Sequence, residues 1–194
     1  LDAVSVNINY SNQSKTILDN SFNLNISSNM LSAMSDLFIS LSGTELKADQ
    51  VNLYDFSGYV LEAGISTIVK KTDGSKDEWI EAARELEGKK VLTPPYCTRE
   101  YTKTATYDQW FISLYRSFNN QYKRGVGVIE TAKQCKSVFK SIITYKKKNH
   151  EDAASVYVFD SNGGLIYPYD ISQEYKAALQ PYYELTKGDD SALT

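Results

Sequence analysis

Val51-Asn52-Leu53-Tyr54-Asp55-Phe56-Ser57-Gly58-Tyr59-Val60-Leu61 is the stretch whose reading decides the fold. A β-branched and aromatic run, an Asp-x-x-Gly turn and a second apolar run follow one another. Glycine supplies the positive φ that a tight turn needs, so the segment reads as a β-hairpin. The pattern returns at Val156-Tyr157-Val158-Phe159-Asp160-Ser161-Asn162-Gly163-Gly164-Leu165-Ile166-Tyr167. A repeated hairpin suggests two related α/β modules on one chain.

Composition bounds the answer. The chain has 194 residues, enough for one large domain or two small ones. Hydrophobic residues make up 42%, which supports a core, and the net charge of −3 argues against a nucleic-acid binder. No run of about 18 apolar residues is present to span a bilayer, and no signal-peptide pattern appears. The chain begins at Leu1 and is read as a fragment. Cys97 and Cys135 are read as unpaired, partly buried thiols. Tyrosine is abundant, with 15 copies against 7 Phe; this suits a pocket for polar ligands and equally suits ordinary strands.

Residues 1–45 hold ten Ser and seven Asn but five charged residues. Tyr10, Ile17, Leu24, Leu31 and Phe38 repeat every seven positions, as do Gln13, Asn20, Ser27, Met34 and Leu41. This predicts one long helix, weakly paired near its start and packed on a domain near its end. Ser75 is expected to cap a helix over Lys76–Leu86, with Glu78 as its capping-box partner and Trp79, Ala82, Ala83 and Leu86 on its inner face. Thr93–Arg99 reads as a loop, 108–118 and 125–131 as strands, and Ala132–Lys148 as a helix. The second hairpin follows at 155–168. A last helix spans Ile171–Lys187, interrupted near Pro181. Helices lying against antiparallel strands make an α+β fold.

In this order the motifs resemble those of the double-Cache (PAS-like) extracytoplasmic sensor domains of YesM-like membrane sensor histidine kinases. The carrying residues are the first hairpin, the Trp79-x-x-x-Ala83 helix, Phe111-Ile112-Ser113-Leu114-Tyr115-Arg116, Gly125-Val126-Gly127-Val128-Ile129 and the second hairpin. The resemblance implies a long N-terminal signalling helix (1–48), a membrane-distal PAS-like Cache module (49–132), and a connecting helix with a partial membrane-proximal module (133–194). A complete second module would need three more strands. The amino-acid-binding Cache subgroup carries an Arg-x-Trp-Tyr signature. Arg99 and Trp110 lack that spacing, so amino-acid binding is not carried over.

Catalytic chemistry finds little support. His150, the only histidine, sits beside a Lys-Lys-Lys run and reads as a solvated residue at a helix end. Neither a metal-ligand cluster nor a phosphate loop is evident, and no cofactor is implied. The six lysines between Lys133 and Lys148 read as a solvated helix face. In a PAS-like module, ligand would meet Trp79, Tyr96, Arg99, Tyr101, Asp108, Trp110, Tyr115 and Arg116. Aromatic walls with a few fixed charges suit a small polar ligand such as a sugar or organic acid, and an Arg can grip a carboxylate with two hydrogen bonds. Strand alternation puts Trp110, Ile112, Leu114 and Arg116 on one face and Phe111, Ser113 and Tyr115 on the other. The expectation is a non-enzymatic, extracellular ligand-sensing portion of a bacterial membrane protein, homodimeric through its N-terminal helix. A chemoreceptor ectodomain and a non-signalling surface solute-binding protein are the alternatives.

Overall fold

The computed structural model describes Leu24 and residues 48–63, 68–101, 106–119, 125–149 and 155–186. The expected N-terminal helix, apart from Leu24, and His150 lie outside them. The chain divides into two compact units: 1–93 with 113–133, and 94–112 with 134–194.

The first unit is built on the first hairpin. Strands β1 (Gln50–Asp55) and β2 (Tyr59–Ala63) pair antiparallel, with Leu53 opposite Leu61 and Tyr54 opposite Val60. Strand β3 (Ile68–Lys71) pairs with β2, and β1 takes β7 (Gly125–Gln134) on its other edge. With β4 (Lys90–Leu92) and β6 (Thr106–Asn119), the sheet order is β3-β2-β1-β7-β6-β4. The β6 residues belonging to this unit are 113–119.

Alternation divides the sheet into two faces. Val51, Leu53, Leu61 and Ile129 share one face and are buried. Tyr54, Val60, Tyr115 and Val128 share the other, where they meet Trp79, Ile80 and Ala83 of helix α1 (Asp77–Glu85) and Val91 of β4. The face containing Ser113 and Tyr115 is therefore the helix-covered one. The inner stripe of α1 is Trp79, Ile80 and Ala83, at the spacing of one helical turn; Leu86, expected inside, is exposed.

The Ser75 cap is corrected. Lys76 holds the N-cap position without a side-chain cap bond. Asp73 captures the serine instead: its Oδ1 accepts from the Ser75 amide at 2.9 Å and the Ser75 hydroxyl at 2.6 Å. Asp77 and Glu78 in the first turn still favour the helix dipole.

The second unit contains β5 (Tyr96–Tyr101), which pairs with residues 106–111 of β6. Much of the expected 93–99 loop is therefore strand. Helices α2 (Cys135–Val138) and α3 (Lys140–Asn149) replace the single helix expected from Ala132. The β1 ladder holds residues 127–132 of β7 extended, so the helix starts later. The second hairpin, β8 (Val158–Phe159) and β9 (Leu165–Tyr167), is a separate two-stranded sheet. Helix α4 (Gln173–Thr186) runs through Pro181, where a break was expected. Beyond that proline, Tyr182 and Tyr183 pack on Tyr157 and Phe159, which holds the last turns in line. The core of this unit is Ile112, Cys135, Phe139 and Tyr167, with Trp110, Ile142 and Tyr169 against it. Both cysteines are free thiols, Cys97 exposed and Cys135 buried. Burial pushes the Cys135 thiol up to about 12.

Candidate functional site

A charged side chain on an interior strand is costly unless it is paired and hydrogen-bonded. Glu130 on β7 is fully buried on the helix-covered face. Alternation places it beside Asn52 of β1, its register partner. Asn52 Nδ2 donates to Oε2 at 2.8 Å, and the Tyr54 hydroxyl donates to the same oxygen at 2.6 Å. From β6, the Ser113 hydroxyl donates to Oε1 at 2.7 Å. The countercharge is Lys76, whose Nζ donates to both carboxylate oxygens, at 2.9 and 2.8 Å.

Lys76 reaches this position because the Asp73 turn delivers it at the start of α1. Its side chain remains 31% exposed, so the ion pair has one buried and one partly wet member. Burial would raise the Glu130 pKa, but the Lys76 charge opposes it, as do hydrogen bonds from Lys76, Tyr54 and Asn52. Together they hold the carboxylate below its ordinary value. Burial, and then the neighbouring Glu130 charge, push the Tyr54 phenol far up. Glu130 is accordingly a fixed anion and Tyr54 a fixed donor.

Beside this cluster lies a cavity of about 160 Å³. Tyr54 and Val60 line it, together with Glu62, Lys70, Lys71 and Lys76. Lys70 pairs with Glu62 at 2.9 Å in an exposed contact. The Lys71 ammonium stands 6.0 Å from the centre of the Tyr59 ring. At roughly 30 Å³ per water, the space is about five waters, which fits a molecule of a few heavy atoms.

The first unit also has a wider, open groove of about 530 Å³ between the first turn and α1, where the Arg84 guanidinium covers the Phe56 ring at 4.8 Å. The second unit has a cavity of about 300 Å³ lined by Asp108, Gln109, Trp110, Gln134, Lys136 and Tyr169. There Trp110 and Tyr169 have ring centres 5.9 Å apart, and Gln134 Nε2 donates to Gln109 Oε1 at 3.0 Å. Among the described residues, no group of three His, Cys, Asp or Glu could hold a metal ion.

The eight residues expected at a ligand site divide between the units. Trp79 and Tyr115 join the first unit's core, where Tyr115 is buried beneath α1. Arg116 lies opposite Lys90 in the sheet, and its Nε donates to the Gly88 carbonyl. Asp108 and Trp110 come together at the second unit's cavity. Tyr96 stacks on Phe111 at 6.3 Å. Arg99 and Tyr101 lie on β5, and their side chains are outside the described residues. The Glu130 cluster was not anticipated. Its signal was a lone carboxylate in the apolar run Val126-Gly127-Val128-Ile129-Glu130-Thr131, on the same alternation face as Val128.

No known protein family matches the chain, and no curated protein matches it. Solved structures do. The sensory domain of the Campylobacter jejuni chemoreceptor Tlp3 with isoleucine bound aligns with a TM-score of 0.57 at 13% identity, over 92% of this chain and 67% of that one. The Tlp3 ligand-binding domain with L-valine aligns with a TM-score of 0.57 at 13% identity, over 88% of this chain and 64% of that one. The same domain with 4-methylisoleucine gives 0.55 at 16% identity, over 88% and 63%. These likenesses establish a shared α+β fold. The chain spans about two thirds of the length of those domains.

Proposed function

We propose that this chain is the extracytoplasmic ligand-sensing portion of a bacterial membrane receptor. It would take a small carboxylate-bearing molecule, an organic acid or a related compound, in the first unit's cavity. The observation that carries this reading is the cavity itself. It sits on the helix-covered face of a sheet shared with chemoreceptor sensory domains, with lysines at its edge. Lys70 lies opposite Val60 on that face, and its exposed pairing with Glu62 is weak enough to let it attract an anion.

The reading is non-enzymatic. The buried ionisable groups Glu130 and Tyr54 are each held in one protonation state, the opposite of what proton transfer needs. Two outputs fit a sensing ectodomain. The sequence motifs resemble those of sensor histidine kinases, whereas the likeness to Tlp3 favours a chemoreceptor. In either, dimerisation through the N-terminal segment would carry the signal, and binding can bias it only by differential affinity for two states.

The test is a thermal-shift and calorimetric screen of small acids, sugars and amino acids against the purified chain. A carboxylate should raise the melting temperature, and Lys70→Glu should abolish the shift while leaving the unliganded melting temperature near wild type. A shift that survives Lys70→Glu but is lost in Trp110→Ala would move the site to the second unit's cavity.

A further inference from the structure

The Glu130 cluster has the chemistry of an ammonium-binding seat: a buried carboxylate with polar groups around it at the edge of a cavity. That seat is already filled. The Lys76 ammonium makes contacts of 2.8 and 2.9 Å to both oxygens, while Asn52, Tyr54 and Ser113 take further hydrogen-bonding positions. We infer that Lys76 acts as a built-in amine that sets ligand specificity: the cavity selects carboxylates lacking an ammonium group, because the chain supplies its own. This inference rests on the cavity being the ligand site.

Two arguments support it. First, a tethered amine competes at an effective concentration in the millimolar range or above, so a free amine at lower concentration does not displace it. Second, a ligand ammonium that fails to reach Glu130 meets Lys70 and Lys76 at the cavity. Among the described residues, its remaining acidic partners there are Glu62, already paired with Lys70, and the exposed Asp73, which holds Ser75. Exposed carboxylates of that kind contribute little to binding. A ligand carrying a hydroxyl, carbonyl or hydrogen in place of the amine avoids the conflict, and its carboxylate faces a lysine-rich edge.

The deciding measurement is calorimetric titration of the wild-type chain with matched pairs. Each L-amino acid, including valine and isoleucine, is set against the 2-hydroxy acid with the same side chain, and simple mono- and dicarboxylates complete the panel. Some member lacking an amine should bind at least about tenfold more tightly than its amino-acid counterpart. A second arm uses Lys76→Ala with methylammonium chloride as the probe. Methylammonium should raise the variant's melting temperature and leave wild type unmoved, with tetramethylammonium at equal ionic strength as the control. An amino acid that binds wild type as tightly as its hydroxy acid, and loses that binding in Lys70→Glu, overturns the selectivity but keeps the cavity as the site. If no member of the panel binds, both readings fall. Should Lys76→Ala not fold, the wild-type pairs decide alone.

Discussion

The two Asp-x-x-Gly hairpins use the same local device in different surroundings. Asp55 Oδ1 accepts from the amides of Ser57 and Tyr59, both at 2.9 Å; Asp160 Oδ1 accepts from Asn162 at 2.7 Å and Gly164 at 2.8 Å. Gly58 and Gly163 take nearly the same conformation, with φ of 85° and 87°. Beyond the turn the likeness stops. β1 has a neighbour on each edge, and the second oxygen of the buried Asp55 accepts from the Leu24 amide at 2.7 Å. The second hairpin has strands of two and three residues and, among the described residues, no further strand beside it. A lone hairpin is marginal in water, and this one is held by aromatic contacts to α4 and by the Tyr183 hydroxyl donating to the Ser161 carbonyl. The local motif sets the turn; distant partners set its stability.

The largest test of this contrast is Glu130→Ala. Asn52 and Tyr54 tie the first hairpin to that carboxylate, and removing it strands Lys76 and three neutral donors. Breaking a buried ion pair costs about 3–5 kcal/mol, and the partly exposed Lys76 favours the lower end. Urea denaturation measures it; a loss below about 1 kcal/mol would show that the cluster is not what secures β1. The pH dependence carries the same information. Glu130 has a folded pKa below its ordinary 4.5. Its contribution is therefore complete above that value and is lost as pH falls through the folded pKa. Glu130→Gln should flatten the acid limb of wild-type stability below about pH 4.5, and parallel pH profiles would contradict the assignment.

Second in size is Gly163→Ala against Gly58→Ala. Both place a side chain in the left-handed region, which costs about 1–2 kcal/mol. At Gly58 the new methyl meets, among the described residues, only Thr72 Oγ1, at 3.9 Å. At Gly163 it would lie 2.6 Å from the Tyr183 ring and 3.0 Å from Gln180 Nε2. Displacing α4 should add about 1–3 kcal/mol. Native-state hydrogen exchange at each turn reads the local effect. Equal losses at the two glycines would mean that α4 gives way freely and does not hold the second hairpin.

Why some of this was legible follows from range. Both hairpins are local: Asp, Gly and the flanking β-branched residues carry their own instructions, and the strand and turn positions followed. Strand β4 depends on a distant partner, and β3 and β5 pair with the neighbouring strand in sequence but lack an Asp-x-x-Gly turn to announce it. Tyr96–Tyr101 is extended because 106–111 lies alongside, and nothing in Thr93-Pro94-Pro95 announces that. Ser75 looked like a cap because Glu78 follows it by three residues, but Asp73 is nearer and takes the hydroxyl first. The candidate site was least legible. Asn52, Ser113 and Glu130 are scattered over the sequence and meet through sheet register, and Lys76 joins them from the start of α1. Trp79 and Tyr115 were chosen as aromatic walls and are part of the packed interior. The faces of β6 were read correctly, since alternation needs no partner to be known.

The finest test changes one atom in each turn. Asn keeps the Oδ1 acceptor that both turns use, so Asp160→Asn leaves the amides of Asn162 and Gly164 served. Its cost should stay within about 0.5 kcal/mol, as for other partly exposed sites. Asp55→Asn differs because its second oxygen is also committed. With Oδ1 kept for Ser57 and Tyr59, the new amide nitrogen would face the Leu24 N–H, donor against donor. At a buried position an unsatisfied donor costs about 1–3 kcal/mol. Asp55→Asn should therefore speed exchange at the first turn by roughly tenfold or more, while Asp160→Asn barely changes the second. Matching small effects at both positions would show that the Leu24 contact adds nothing. The two hairpins would then differ through their strands alone.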